Sequence, residues 1–414
     1  MKVLQINATV NTTSTGRITE EIGQTLLDHG HGSYIAYSKS GPGGSGSHLI
    51  RIGNDIDFYR HGLKTRALDR HGFGSKKSTQ DLVGQIKNIK PDVIGLHNLH
   101  GYYLNIEVLF KYLKNVQIPV IWTLHDCWPF TGHCSFFDYV SCEKWKTGCY
   151  ECPLSNRYPA SWFIDNSEKN YHQKSELFNG LKNLTIVTPS HWLAELTSQS
   201  FLSKYPVEVI PNGIDVDRFE PVEPSLVKAK YQLTDKKIIL GVASVWDRRK
   251  GLDDFLQLSK QLDDHFRIVL IGLSEKTIRE LPSNIIGIPR TENIDELISL
   301  YSCADVFVNP TLVDNFPTTN LEALACGTPV ITYKTGGSPE AIDANTGLIV
   351  PKGDVGALHF GIREILKNGK SNYSKACRNR AIAYFNKEER FRDYLNLYEN
   401  VRQGDNIGNY YAEG

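Results

Sequence analysis

Two carboxylates in the second half of the chain, Asp314 and Glu322, have a type and spacing that indicate a binding or catalytic site. Seven residues separate them, and Asp314 lies in a polar loop while Glu322 lies in the amphipathic segment that follows. The start of a helix offers free backbone N–H groups, which suit anionic groups such as phosphates. The pair therefore predicts a site for an anionic ligand. The alternative is an ordinary βαβ unit in which Glu322 merely lies near a helix start.

The elements around this pair predict one βαβ unit. Residues 305–309 form an apolar run that is typical of a buried parallel strand. Residues 319–327 have helical spacing and end on glycine, which is common at helix C-termini, and residues 329–333 predict the next strand. The loop between them therefore lies at the carboxyl edge of a parallel sheet, where α/β folds bind ligands.

Two segments of the first half also place candidate groups where predicted strands end. His125 closes the apolar strand 119–125, and the adjacent Asp126 can orient its imidazole. Gly16 lies at a predicted helix start, where a glycine lets the backbone approach a phosphate or a sugar closely. Each has an ordinary alternative, which is a buried core histidine for His125 and a plain βα turn for Gly16.

Five of the eight cysteines lie between residues 127 and 152. The C-x2-C pair at its end is a standard metal knuckle, and two more thiols lie upstream. A short insert has little core of its own, so a closed four-thiolate zinc site would stabilise it. We predict a structural zinc site, and the alternative is a set of ordinary free thiols. The predicted ligands are Cys134, Cys142, Cys149 and Cys152.

Composition excludes several classes of protein. The 414 residues suffice for two large domains. Lys+Arg and Asp+Glu each number 46, and a net charge of zero argues against a dedicated nucleic-acid binder. The N-terminal run is broken by Gln5 and Asn7, so it predicts a first strand, not a signal peptide. With no apolar run of membrane-spanning length, we expect a cytoplasmic protein with reduced cysteines.

Residues 57–77 form a basic run. It holds six Lys or Arg against two Asp, together with His61 and His71. Such a run either docks on an anionic membrane leaflet or is simply a solvated face. Both interpretations stay open at the level of sequence.

The D-x7-E run, the A-C-G-T-P-V that follows Glu322 and the cysteine-rich block together resemble the retaining GT-B glycosyltransferases of family 4. Within that family they are similar to the branch that builds colanic acid, O-antigen and capsule. The resemblance covers nearly the whole chain. The chain departs from the family at Asp314, where the family has glutamate, and at Val245, where the family has an arginine.

The resemblance implies roles for individual residues. Asp314 would face the donor sugar hydroxyls, and Glu322 would hold the ribose hydroxyls. Lys250 would bind the donor diphosphate, with Arg249 or less readily Arg248 replacing the missing arginine. His125 would lie beside the donor sugar and the reacting centre. The catalytic candidates are His125, Arg249, Lys250 and Asp314, and the donor-binding candidates are Gly16, Asn309, Phe316, Thr318, Thr319 and Glu322.

The implied fold is α/β of the GT-B type, with two doubly wound parallel-sheet domains facing across a cleft. We predict an acceptor-side domain at 1–211, which contains the cysteine-rich insert 127–152, and a nucleotide-sugar domain at 212–385. Residues 386–414 predict a helix that packs back on the first domain, followed by a frayed tail.

We predict no cofactor for catalysis. Asp215-Val216-Asp217 and Asp55-Ile56-Asp57 imitate the D-x-D motif of metal-dependent transferases. The first belongs to the interdomain crossover that the resemblance implies, and the second begins the basic run. Neither pair is therefore expected to hold a donor-bound metal ion.

The predicted function is transfer of a hexose from a nucleotide diphosphate sugar to a lipid-linked oligosaccharide, with retention of configuration. The implied pathway is surface polysaccharide biosynthesis, such as lipopolysaccharide O-antigen, exopolysaccharide or capsule. The expected location is the cytoplasm, with peripheral contact to the inner membrane and no nucleic-acid partner. Two alternatives remain: a GT-B sugar-phosphate synthase or phosphorylase, and a non-catalytic scaffold of the same fold.

Overall fold

The computed structural model describes residues 1–41 and 43–404, which divide into two compact units. Unit 1 contains Met1–Pro211 and the chain from Phe391 onward, and unit 2 contains Asn212–Arg390. The predicted C-terminal helix therefore begins in unit 2 and contributes most of its length to unit 1. The predicted tail lies, from residue 405 on, outside the described residues.

Unit 1 is built on a seven-stranded sheet in which every strand pairs in parallel. Its strand order is β5-β3-β1-β6-β7-β8-β9, so the order reverses beside β1. Two short strands, β2 and β4, form a separate pair. The strands are β1 Lys2–Ile6, β2 Thr9–Val10, β3 Gly32–Tyr37, β4 Lys39–Ser40, β5 His48–Arg51, β6 Val93–Leu96, β7 Val120–Thr123, β8 Leu184–Thr188 and β9 Val207–Val209.

Six helices surround this sheet in the described part of unit 1, before the C-terminal helix. Side-chain caps fix several of their starts, as at Asn54, whose side chain forms a capping box with Asp57. The helices are α1 Thr13–Asp28, α2 Asp55–Leu68, α3 Lys76–Ile89, α4 Ile106–Leu113, α5 Ser167–Phe178 and α6 His191–Ser198.

The core of unit 1 explains why its central strands have continuous apolar sequences. Strands β6, β7 and β8 are buried along their whole lengths because helices cover both faces of the sheet. Trp122 of β7 packs edge-on against Phe178 at 4.9 Å between ring centroids. On the other face, Phe391 and Tyr398 of the C-terminal helix are buried in the cluster that contains Val3.

Unit 2 has a six-stranded parallel sheet in the order β12-β11-β10-β13-β14-β15. The strand order reverses between β10 and β13, which is where doubly wound sheets open a crevice for ligands. The strands are β10 Lys237–Val242, β11 Phe266–Ile271, β12 Ile285–Ile288, β13 Val306–Asn309, β14 Val330–Tyr333 and β15 Gly347–Val350.

The helices of unit 2 alternate with these strands and then close the chain. They are α7 Ser225–Lys230, α8 Leu252–Ser259, α9 Glu275–Arg279, α10 Ile294–Cys303, α11 Thr318–Ala325, α12 Val355–Asn368 and α13 Ser371–Phe385. The C-terminal helix, α14 Lys387–Gln403, begins in unit 2 and belongs for most of its length to unit 1. Among the residues that the structure describes, none of the helices is both long and apolar enough to cross a membrane. The predicted α/β class, with parallel sheets in two domains, is confirmed.

Candidate functional site

The candidate site of unit 2 begins with a short basic turn held against the loop after β13. The turn is the 3-10 segment Arg248–Lys250, which follows β10. The Leu312 N–H donates to the Arg249 carbonyl at 2.7 Å. Gly251 has φ of +77°, and a Cβ there would lie 2.3 Å from the Pro310 carbonyl oxygen. Only glycine allows this close approach, so the two loops at the sheet's reversal point are fixed to each other.

This anchoring brings together three of the predicted catalytic side chains. Lys250 Nζ donates to Asp314 Oδ2 in an ion pair whose side chains are 22% and 18% exposed. The Arg249 guanidinium donates to the Val313 carbonyl at 3.1 Å, one residue before the carboxylate. Burial alone would raise the pKa of Asp314, but the charges of Lys250 and then Arg249 lower it. Asp314 is therefore a carboxylate at neutral pH. Arg249, not Arg248, is the arginine placed beside it.

Glu322 lies in the second turn of α11, on the same loop-helix unit. The Tyr301 hydroxyl donates to Glu322 Oε2 at 2.7 Å. Burial raises the pKa of Tyr301 well above its usual value, and the adjacent carboxylate raises it further, so the phenol stays protonated and acts as the donor. Thr318 and Thr319 form the first turn of α11 and are half-buried. Tyr301 is a supporting residue that no sequence motif identifies.

Two of the predicted donor-binding residues lie in the interior. Asn309 donates from Nδ2 to Asn320 Oδ1 at 2.9 Å, in a buried network that continues to Ser338. Phe316 is 5% exposed and packs against Phe385 at 5.7 Å between ring centroids. These contacts assign both side chains to the support of the loop. A direct contact with a donor remains a prediction for each.

A glycine pair after β14 supports the Asp314 loop from the other side. Gly336 has φ of +53°, and a Cβ there would lie 1.8 Å from the Asp314 carbonyl oxygen. The Gly337 N–H donates to the same oxygen at 3.2 Å. The sequence shows these glycines as a loop but does not reveal that they hold Asp314.

In unit 1, His125 belongs to a buried hydrogen-bond chain at the carboxyl edge of the sheet. Gln5 Nε2 donates to the Thr19 carbonyl, so Gln5 Oε1 is the acceptor that faces His97 Nε2 at 3.1 Å. His97 Nδ1 must then accept from His125 Nε2, also at 3.1 Å. Burial lowers the pKa of His125 to about 4. The chain therefore presents a neutral His125 in a fixed tautomer.

Asp126 does not act as we expected. Its Oδ2 accepts from His100 Nε2 at 2.8 Å, and its Oδ1 accepts from the Trp128 N–H at 2.9 Å. His100 Nδ1 lies 3.0 Å from the Tyr158 hydroxyl. The structure thus pairs Asp126 with His100, because the carboxylate turns toward the loop after β6.

Gly16 lies inside α1, in its first turn, and is buried. A Cβ at this position would lie 2.8 Å from Thr9 Oγ1 of β2. The glycine is therefore required for packing of α1 on the small β2-β4 pair. Its predicted contact with a donor or acceptor stays a prediction.

The two D-x-D segments have structural partners. Asp215 pairs with Lys387 Nζ at 2.9 Å and accepts from the Arg218 N–H. Asp57 accepts from the Asn54 N–H in the capping box of α2. Each segment is thereby engaged in local structure.

We expected the cysteine-rich block to have little core of its own, but the structure shows that it has one. Phe137 stacks on the buried Trp145 at 5.0 Å between ring centroids. Buried Lys174 donates to the carbonyls of Trp128 and Thr131 at 2.7 and 3.0 Å, which ties the block to α5. These contacts supply the block with an apolar core and an anchor to α5.

The four predicted zinc ligands, Cys134, Cys142, Cys149 and Cys152, line one small cavity. A hydrogen bond with the Cys152 thiol raises the pKa of Cys134, and burial of the thiol raises it further. Within residues 1–41 and 43–404, however, no group of three or more His, Cys, Asp or Glu side chains is placed to hold a metal ion. As they stand, the four thiols are not in ligand geometry, and the zinc site stays a prediction.

Comparison with known families gives two matches that together span most of the chain. The model described as Glycosyltransferase Family 4 matches residues 15–218. The model described as Glycosyl transferases group 1 matches residues 226–384. The candidate residues of unit 2 all lie within the second match.

Curated relatives agree with these matches. WcaC of Escherichia coli K12, a glycosyl transferase named for colanic acid biosynthesis, is 24% identical over 97% of this chain and 100% of its own length. A GDP-mannose-dependent phosphatidylinositol monomannoside mannosyltransferase of Corynebacterium glutamicum is 31% identical, over 42% of this chain and 52% of its own length.

Solved structures support the fold. Sucrose-phosphate synthase from Thermosynechococcus elongatus superimposes with a TM-score of 0.71 at 18% identity, covering 98% of this chain and 100% of that one. Anabaena Alr3699/HepE in complex with UDP-glucose has a TM-score of 0.65 at 12% identity, with coverages of 96% and 99%.

Proposed function

This chain belongs to the GT-B glycosyltransferases of family 4, and on that premise we propose that it transfers a hexose from a nucleotide diphosphate sugar to a lipid-linked oligosaccharide with retention of configuration. The observation that carries the proposal is the grouping of Lys250, Arg249 and Asp314 where the strand order of unit 2 reverses. Glu322 lies on the helix that follows the same loop.

The cations of this group suit the leaving diphosphate. As the bond from sugar to phosphate breaks, negative charge grows on the diphosphate, and preorganised cations stabilise it most at that stage. Lys250 and Arg249 are held by the Asp314 side chain and the Val313 carbonyl, so they need little reorganisation to meet that charge. The N-terminus of α11 adds backbone N–H donors on the same side of the loop.

The two carboxylates suit the polar parts of the donor. Asp314 is ionised, and we assign it to the sugar hydroxyls, where it also positions Lys250. Glu322, held by the Tyr301 hydroxyl, is assigned to the ribose hydroxyls. Because Asp314 replaces the longer glutamate of the family, we expect its backbone support by Gly336 and Gly337 to set how far it reaches.

Unit 1 is assigned the acceptor side of the reaction. Its neutral His125, whose Nε2–H is directed to His97, can act toward a sugar only as a hydrogen-bond acceptor and adds no charge there. The Asp126–His100–Tyr158 chain places a second polar group at the same sheet edge. We assign this edge to the acceptor hydroxyl and to the sugar that it receives.

The acceptor class and pathway are the finer part of the proposal. The full-length similarity to a glycosyl transferase named for colanic acid biosynthesis supports a role in surface polysaccharide assembly, such as O-antigen or capsule. Growing oligosaccharides of this kind are carried on lipids. We therefore propose that the protein works at the cytoplasmic face of the inner membrane, in peripheral contact with it.

Saturation-transfer NMR against a panel of UDP, GDP, ADP and TDP sugars tests the donor site directly. We expect one nucleotide class to give saturation transfer to ribose and sugar protons, and Glu322→Ala to remove the ribose signals. Enzymatic transfer of the donor sugar to a soluble sugar phosphate would instead identify a sugar-phosphate synthase. Polysaccharide binding without any nucleotide sugar binding would identify a non-catalytic scaffold.

A further inference from the structure

Two surface segments of unit 1 expose large apolar side chains to an unusual degree. Eight of the eleven exposed large hydrophobic side chains among the described residues of this unit lie in helix α2 or in residues 158–164. Phe163 is 88% exposed and Tyr59 is 72% exposed. The eight are Ile56, Tyr59, Leu63, Leu68, Tyr158, Trp162, Phe163 and Ile164.

The two segments form one continuous surface, here called the aromatic surface. The Trp162 N–H donates to the Arg66 carbonyl at 2.7 Å. Asn166 Nδ2 donates to the Leu68 carbonyl at 2.8 Å, just after the exposed run. Residues 158–164 are therefore fastened along the C-terminal half of α2.

Helix α2 reverses the usual pattern of a surface helix. Its buried residues are His61, Gly62 and Thr65, whereas Ile56, Tyr59 and Leu63 face solvent at helical spacing. A globular surface helix normally places its apolar stripe on the core. Contiguous exposed apolar side chains of this kind mark a site of interaction with a protein or a membrane.

The charges favour a membrane as the partner. Helix α2 contains three cations against two carboxylates, Asp55 and Asp57, which both lie in its first turn, and its Arg60 and Lys64 are exposed beside the apolar side chains. The core of a protein interface is depleted of charge, whereas aromatic side chains interleaved with basic ones suit the boundary of an anionic bilayer. The aromatic surface combines both features of a bilayer-binding site.

We propose that the aromatic surface docks on an anionic lipid bilayer, with Trp162 and Phe163 entering the interface and Arg60 and Lys64 meeting the headgroups. This inference deepens the proposed function and rests on it, because the lipid-linked acceptor is part of that proposal. Tyr158 belongs to the surface and also lies 3.0 Å from His100. Docking would therefore bring the bilayer next to the group that we assign to the acceptor.

Vesicle flotation of the full chain tests the docking. We expect binding to phosphatidylcholine vesicles with about 30% phosphatidylglycerol, and much weaker binding to pure phosphatidylcholine. Trp162→Ser with Phe163→Ser should lower the partition coefficient at least tenfold. Arg60→Glu with Lys64→Glu should lower it by more than roughly 25-fold, since loss of each basic residue near an anionic surface costs about a fivefold factor and each new carboxylate is repelled as well.

Matched controls come from unit 2, where Phe360 is 68% exposed and Lys260 and Lys276 are exposed. Phe360→Ser, and Lys260→Glu with Lys276→Glu, should leave flotation unchanged. Circular dichroism verifies that each variant is folded. A fluorescence blue shift on adding vesicles, present in the wild type and lost in a folded Trp162→Phe variant that still floats, provides a second readout that reports on Trp162 itself.

Several outcomes would overturn the proposal. One is that the wild type fails to bind anionic vesicles, and another is that the surface variants bind them as well as the wild type does. A wild-type dimer that becomes monomeric on Trp162→Ser with Phe163→Ser would assign the surface to a protein interface instead. Flotation needs neither donor nor acceptor, whereas donor binding by NMR needs no vesicles. Loss of one with retention of the other shows whether the docking or the proposed transferase activity is wrong.

Discussion

Replacement of Lys250 by alanine is the substitution that we expect to separate chemistry from folding. Lys250 pairs with Asp314, and the two side chains are 22% and 18% exposed. Breaking a fully buried pair costs about 3–5 kcal/mol and an exposed one about 0–1 kcal/mol. With partial screening by solvent, we expect a loss of about 1–2 kcal/mol, or a fall in Tm of roughly 2–8 °C.

The loss of activity should be much larger than this modest loss of stability suggests. The lysine charge acts chiefly as the diphosphate departs, so its removal should lower kcat by about 10²–10³-fold with a smaller change in KM. Lys250→Arg, which keeps the charge, should recover part of kcat. Lys260→Ala, an exposed lysine after α8, serves as the matched control.

The assay is steady-state release of nucleoside diphosphate from the donor, run beside a thermal melt of each variant. A folded Lys250→Ala protein that keeps kcat within about threefold of the wild type would refute the reasoning. Equal losses in Lys250→Ala and Lys260→Ala would also refute it, because the effect would then follow general surface charge.

The remaining predictions concern protons and metals. Burial lowers the pKa of His125 to about 4, so the unfolded chain binds more protons than the folded one between about pH 6.5 and 4. The free energy of unfolding should therefore fall as pH drops through that window. His125→Gln should flatten this part of a plot of unfolding free energy against pH, and a slope equal to that of the wild type would contradict the buried neutral state. Because both D-x-D segments have local partners, EDTA should leave kcat unchanged in folded protein, and a loss reversed by Mg²⁺ or Mn²⁺ would show a metal-dependent mechanism. If the cysteine block binds zinc, Cys149→Ser should lower bound zinc and Tm, and weaken acceptor use more than donor binding; well under one zinc per wild-type chain by elemental analysis, with the four thiols titrating freely, would refute the site.

Much of the fold follows from local patterns. The helix over 319–327 and its flanking strands appear as α11, β13 and β14, because apolar spacing and the terminal glycine are local signals. Helix α2 and helix α5 were not predicted, since their sequences are polar or basic and lack a strong apolar stripe. Helix α7, which lies between the crossover and β10, was not predicted either.

The candidate site was predictable only in part. The Asp314–Glu322 spacing and the candidate Lys250 were visible in the sequence, but the choice of Arg249 over Arg248 depends on the Val313 carbonyl. The pairing of Asp126 with His100 depends on two loops that lie 26 residues apart in sequence. Such pairings are set by tertiary packing, which no local pattern records. The reversed polarity of α2 was visible only once its buried residues were known.

Time-resolved proton NMR of the anomeric signals, during transfer from the donor that the protein binds, tests the central claim most directly. The account predicts that the anomeric configuration of the first-formed product equals that of the donor sugar. It also predicts that this signal disappears in Lys250→Ala but persists in Lys260→Ala. A first product of opposite configuration, or no turnover of any bound nucleotide sugar with an oligosaccharide-lipid acceptor, would contradict it.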